Sequence, residues 1–320
     1  MGLLGAGLNA QHLAELLNWQ SSIVQWIIFY AWLNLGVISL QYLWQNIILD
    51  RQLLKQEWTD PSQRSFFPSI TLTLLLFMLS LVPFAQHSAF AQEALQNGYF
   101  VVVFFHVLLN LRLISSWLFH QDIEIGHHQP SWFILLSGNF VVVIAGLSVV
   151  DLLVMPIWYE VLWLFFSVGL FLWLSFTVSL FYRLIFDKPL HNALRPSLFI
   201  FLAPPSLAVI SSILLSQSTA ANPDVLAITP LTWMLYSFAS VMLCVWLTLI
   251  RYFYQSGLSL AGWAYVYPLA AYGLATQYMA EYMGSALFEN LSILILIIVL
   301  SFIALLSAWL FKQQFLNKAG

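Results

Sequence analysis

Of the 320 residues, 61% are hydrophobic and only 7% charged, about a quarter of the charged share of an ordinary soluble domain. A water-soluble globule cannot hide that much apolar surface, so a soluble fold is excluded and an all-α polytopic membrane protein is expected. The net charge of -3 is thinly spread with no basic run, which argues against a nucleic-acid partner, and the single Cys244 excludes an internal disulfide.

Turn residues and charges divide the chain into ten predicted helices within one transmembrane domain, 1–320. The first, about 1–16, is the weakest, because Asn9, Gln11, His12 and Glu15 interrupt it; it reads as short by a turn or more at its start. The opening "MGLLGAG" lacks the basic region of a secretory signal, and Ala6 stands where a myristoylation signal wants serine or threonine, so insertion by the chain's own helices is expected. The others fall at about 20–48, 66–86, 94–119, 131–150, 157–186, 196–217, 226–254, 262–283 and 286–314.

The odd-numbered helices open near Phe66, Ser131, Pro196 and Gly262, at intervals of 65, 65 and 66 residues, and a further step back reaches Met1. The chain therefore reads as five tandem hairpins of one length. Even-numbered members carry long uninterrupted apolar faces such as "VLWLFFSVGLFLWLSFTVSLFYRLIF" and are expected to face lipid. Odd-numbered members carry breakers and small polar residues: Pro68, Thr71, Thr73 and Pro83; Ser137, Gly138 and Asn139; Pro204, Pro205 and Ser206; Pro268 and Gly273. A proline inside a helix frees a carbonyl that lipid cannot satisfy, so broken inner helices ringed by smooth ones suggest an enclosed polar pore. Tight packing of kinked helices is the alternative reading.

Sidedness follows from the basic residues. Arg51, Lys55, Arg64, Arg112, Arg183, Lys188, Arg195, Arg251, Lys312 and Lys318 all fall at or after even-numbered helices. Ten helices with both termini cytoplasmic is the arrangement this predicts. The expected location is a bacterial inner (plasma) membrane.

Other polar residues carry less. Glu160 suits the start of its helix as a structural carboxylate, whereas the role of Glu281 is left open. His106 and Asn110 share a helix face and read as an interhelical hydrogen-bond pair, with Arg112 marking the cytoplasmic interface. Adjacent His127 and His128 lack the companions of a metal site, and "NLS" at 290–292 reads as a chance glycosylation pattern.

The segments "HQPSWFILLSGNFVVVIAG" (128–146), "YEVLWLFFSVGLFLWLSFTVSLFYRL" (159–184), "RPSLFIFLAPPSLAVIS" (195–211), "GWAYVYP" (262–268) and "EWTDPSQRSFF" (57–67) resemble the slow-type anion channel and tellurite-resistance family, which includes dicarboxylate and sulfite transporters. The resemblance implies ten helices as five hairpins around a pseudo-fivefold central pore, assembled as a homotrimer. It implies a blocking aromatic in the ninth helix at the position of Tyr267, where this chain has a phenol in place of the family's phenyl ring. Tyr265, Tyr272, Tyr278 and Tyr282 read as packing or interfacial tyrosines. Expected pore-lining residues are Thr71, Thr73, Ser137, Ala203, Pro204, Ser206 and Pro268. The expected function is a gated anion channel for chloride and nitrate, with no cofactor, metal or catalytic residue. A secondary exporter of sulfite, tellurite or malate is the alternative, and a membrane haem protein or enzyme a remote one.

Overall fold

The computed structural model describes residues 1–18, 22–119, 123–151, 154–219 and 228–313, and among these it is helical with no strand. The helices are α1 (Gly2–Leu16), α2 (Ser22–Leu43, continued by a π-helical turn Trp44–Leu49), α3 (Arg51–Thr59), α4 (Pro61–Arg64), α5 (Pro68–Ala85), α6 (Ala89–Phe119), α7 (Phe133–Val149), α8 (Pro156–Phe186), α9 (Ala203–Thr219), α10 (Pro230–Thr248), α11 (Ile250–Tyr254), α12 (Val266–Met283) and α13 (Ala286–Phe311). The predicted first residues 20 and 226 and last residue 314 lie outside the described residues.

Two boundaries differ from expectation for local reasons. Helix α6 begins at Ala89, before the expected 94, because the Ser88 hydroxyl accepts the Ala91 amide at 3.3 Å and caps an earlier turn. The segment expected as one helix to 254 breaks at Leu249 into α10 and α11; Pro230 and a Thr229–Thr232 capping box fix its start.

Among the described residues eight helices are long and apolar enough to cross a membrane, and two of them are far more buried than the rest, α5 included at 39%. The windows that include α7 and α9 are 83% and 94% buried, against 28% for α8 and α13 and 33% for α6 and α10. The smooth helices leave most of their apolar surface outward, as a helix facing lipid does. Helices α1 and α12 fall outside the set of eight: α1 has 15 residues, and the 18 of α12 include Thr276, Gln277 and Glu281.

Packing divides the chain into two units, residues 22–188 with Met1, and residues 2–21 with 189–320. In the first, α5 packs on α6 and α7, α7 on α8, and α2 lies on α5 through Trp32, whose indole donates to Ser80 Oγ at 2.8 Å. Ser65 and Ser131, which precede α5 and α7, share a hydrogen bond of 2.6 Å. A stacked Trp117–Trp132 pair, 4.2 Å between centroids, closes the same end with His128 and Phe176 around it. Burial pushes the His128 imidazole down to about 4, with Arg183 nearby opposing a further positive charge, so it is neutral at neutral pH.

In the second unit α12 is the centre, with α9 on one flank, α1 on another and α13 across it. Here the first helix of the chain lies beside the last of the broken ones. The two helices too polar or too short to read as spans are therefore packed against each other. Gly284, at φ 60°, ends α12 in the left-handed conformation that glycine adopts without strain.

Candidate permeation site

Three of the broken helices share one construction. A 3₁₀ segment (Pro130–Trp132, Asn192–Leu202, Leu260–Tyr265) runs directly into the α-helical part of α7, α9 and α12. Short 3₁₀ pieces of this kind often mark hinges, and an 11-residue run is long for the type. This corrects the expectation that Pro204, Pro205 and Pro268 interrupt helix interiors. They sit in the first turn of α9 and α12, where a missing N–H costs least; Pro83 does lie inside α5.

Tyr267 is the second residue of α12, immediately after its 3₁₀ junction and before Pro268. Its side chain is only 8% exposed, and its hydroxyl is buried with no hydrogen-bond partner among the described residues. The ring lies on α1: a Cβ built at Gly5 would meet Tyr267 Cδ2 at 3.3 Å, so a side chain there would press on the ring. The neighbouring tyrosines behave differently. Tyr265 packs among Phe199, Phe253 and Phe302; Tyr272 OH is 2.8 Å from Ser240 Oγ; Tyr278 stacks on His12; and Tyr282 OH accepts from Gln217. A buried phenol without a partner is uncommon, because the desolvated donor costs free energy unless something transient meets it.

The expected lining residues are mostly buried, and their hydroxyls are engaged. Ser137 donates to Phe133 O at 2.8 Å, Ser206 to Leu202 O at 2.8 Å, and half-buried Thr73 to Ser69 O at 2.5 Å. Thr71 donates to Pro68 O at 3.1 Å and is 2.9 Å from His106 Nδ1. Each hydroxyl has a carbonyl three or four residues back along the chain within hydrogen-bond distance. Ala203 is fully buried, and Pro204 and Pro268 are buried as well.

Structure adds a polar cluster in the first unit that sequence reading caught only in part. His106 reaches from α6 to Thr71 on α5; Asn110 donates to His106 O at 2.9 Å; and Asn139 on α7 donates to Asn110 Oδ1 at 3.3 Å. The interhelical role expected for His106 and Asn110 is what the geometry displays. The partners on α5 and α7, and the reason for Gly138, were not legible in advance: a Cβ at Gly138 would fall 2.2 Å from His106 Cε1. Close approach by a bulky imidazole fixes glycine there.

Glu281 Oε2 lies 3.5 Å from His12 Nε2, joining α12 to α1. His127 accepts the Glu124 amide at 3.1 Å in a 3₁₀ cap, and among the described residues no three of His, Cys, Asp and Glu gather to hold a metal. Glu160, Arg112 and Cys244 are exposed.

The family described as voltage-dependent anion channel (SLAC1) matches residues 1–310. The chain belongs to that family. Among its relatives, the S-type anion channel SLAH2 of Arabidopsis thaliana is 24% identical over 277 residues, 86% of this chain and 48% of the plant protein. Two uncharacterized transporters of Methanocaldococcus jannaschii are 22% identical over 274 residues (81% of this chain, 74% of theirs) and 23% identical over 228 residues (66% and 62%). The chain thus spans about half the length of the plant channel, and the family match covers both of its packing units.

Proposed function

We propose that this chain is a gated channel for small monovalent anions, chloride and nitrate among them, with a central pore occluded by Tyr267. The observation that carries the reading is the Tyr267 side chain: a buried ring with an unpartnered hydroxyl, set at a 3₁₀-to-α junction in a member of an anion channel family. On this reading the conformation described is the closed one, ten helices span the membrane with both termini cytoplasmic, and three copies assemble in a bacterial inner membrane with one pore each.

The lining would hold an anion weakly. None of the five inner α-helices carries lysine or arginine, and the hydroxyl protons of Thr71, Thr73, Ser137 and Ser206 are turned onto backbone carbonyls. Ala203, Pro204 and Pro268 offer no donor. Attraction is left to helix N-termini and the Tyr267 hydroxyl, which is too little to replace a full hydration shell. Permeability should therefore follow dehydration cost. In bilayers holding the purified protein, bi-ionic reversal potentials are expected to rank nitrate and bromide above chloride; chloride above nitrate would contradict a weak-field pore and favour a selective anion site.

A further inference from the structure

The seam between α1 and α12 is built in steps, one for each turn of α1. Gly2 meets Val266, Gly5 meets the Tyr267 ring, Asn9 meets Ala270 and Gly273, and His12 stacks on Tyr278 at 4.4 Å and faces Glu281. Residue numbers rise together on both sides, so the two helices run parallel. The first two steps set a glycine of α1 against a larger side chain of α12, which allows close approach but contributes no hydrogen bond. The third step is different. Asn9 Nδ2 donates to Ala270 O at 2.9 Å, and Gln277 Nε2 donates to Asn9 Oδ1 at 2.7 Å and to Asn9 O at 3.1 Å. Asn9 and Gln277 are both fully buried, and Gly273 exists to admit the amide: a Cβ there would lie 2.4 Å from Asn9 Nδ2.

This arrangement is a poor way to buy stability. Gln277 Oε1 is left buried without a partner, which an aliphatic pair of the same shape would avoid. A buried polar pair at a helix seam earns its place by fixing register. We propose that Asn9 and Gln277 are positioning residues of the gate: they lock α1 in the register that holds Gly5 against the Tyr267 ring, one turn away, and so keep the ring in its occluding position. The inference rests on the reading of Tyr267 as the gate. Release of the lock lets α1 slide, withdraws the flat glycine support, and frees the ring to swing.

Current recordings in planar bilayers, with protein amounts matched in the membrane, test this. Asn9→Leu and Gln277→Leu preserve side-chain size while deleting the bonds. Each deletes two buried neutral hydrogen bonds of the seam and is expected to raise anion current by about fivefold or more. In a Tyr267→Ala background the same substitutions should add nothing, an epistasis that a merely structural role would not produce. Unchanged currents in the single variants, or equal multiplication in both backgrounds, would overturn the lock while leaving the gate intact. An unchanged current in Tyr267→Ala alone would instead overturn the gate, and the lock with it. Loss of both leucine variants from the membrane would also count against the proposal, since it assigns these bonds to register and not to folding.

Discussion

Tyr267→Ala raises the anion current of the reconstituted protein by about tenfold or more, because the ring is the bulk that closes the proposed path and alanine leaves a gap at the 3₁₀-to-α junction of α12. The same change removes packing against Gly5, and truncating a buried aromatic costs about 3–5 kcal/mol when the site does not collapse. Current per molecule and thermal stability should thus move in opposite directions, which separates loss of a plug from general damage. Tyr267→Phe divides the two parts of the side chain. It keeps the ring and deletes a hydroxyl that has no partner among the described residues, so the proposed closure survives and stability holds or improves slightly. An alanine variant with wild-type current would remove Tyr267 from the gate.

Gly138→Ala gives the largest loss of stability for the smallest added volume. The new methyl would lie 2.2 Å from His106 Cε1 and 2.8 Å from Nε2, well inside contact distance, and the imidazole cannot retreat without giving up its 2.9 Å contact with Thr71. Overpacking of this kind costs about 1–3 kcal/mol, and the broken buried hydrogen bond adds about 1 kcal/mol. The check is the unfolding midpoint of the purified protein. His106→Ala in the same chain clears the space, so the double variant should be more stable than the sum of the two single losses. A Gly138→Ala midpoint equal to wild type would show that α6 or α7 yields freely at this contact.

Much of the fold was legible because lipid imposes strong rules. Apolar runs bounded by turns located the long helices to within a few residues, and the contrast between "VLWLFFSVGLFLWLSFTVSLFYRLIF" and the proline-bearing segments anticipated the difference in burial between α8 and α9. The 3₁₀ segments were not foreseen. Pro204 and Pro268 read as interior breakers, although a proline also marks a first turn, and sequence alone does not say which side of it the α-helix occupies. In α1, Asn9, His12 and Glu15 read as defects of a short span. The meaning of Asn9 and His12 lies some 260 residues away, since Asn9 donates to Ala270 O and His12 faces Glu281. The same distance answers why α12 is so polar for a membrane helix: Gln277 and Glu281 are directed to α1. Gly5, Gly138 and Gly273 each accommodate one particular side chain on another helix, and local pattern carries no record of that partner.

The central claim is a passive anion path, and the reversal potential of the purified, reconstituted protein tests it most directly. Under a chloride gradient at symmetrical pH, the reversal potential should shift toward the chloride equilibrium value; imposing a pH gradient at symmetrical chloride should leave it at zero. Chloride movement that carries no current, or a reversal potential that follows the proton gradient, would contradict the channel and point to proton-coupled transport.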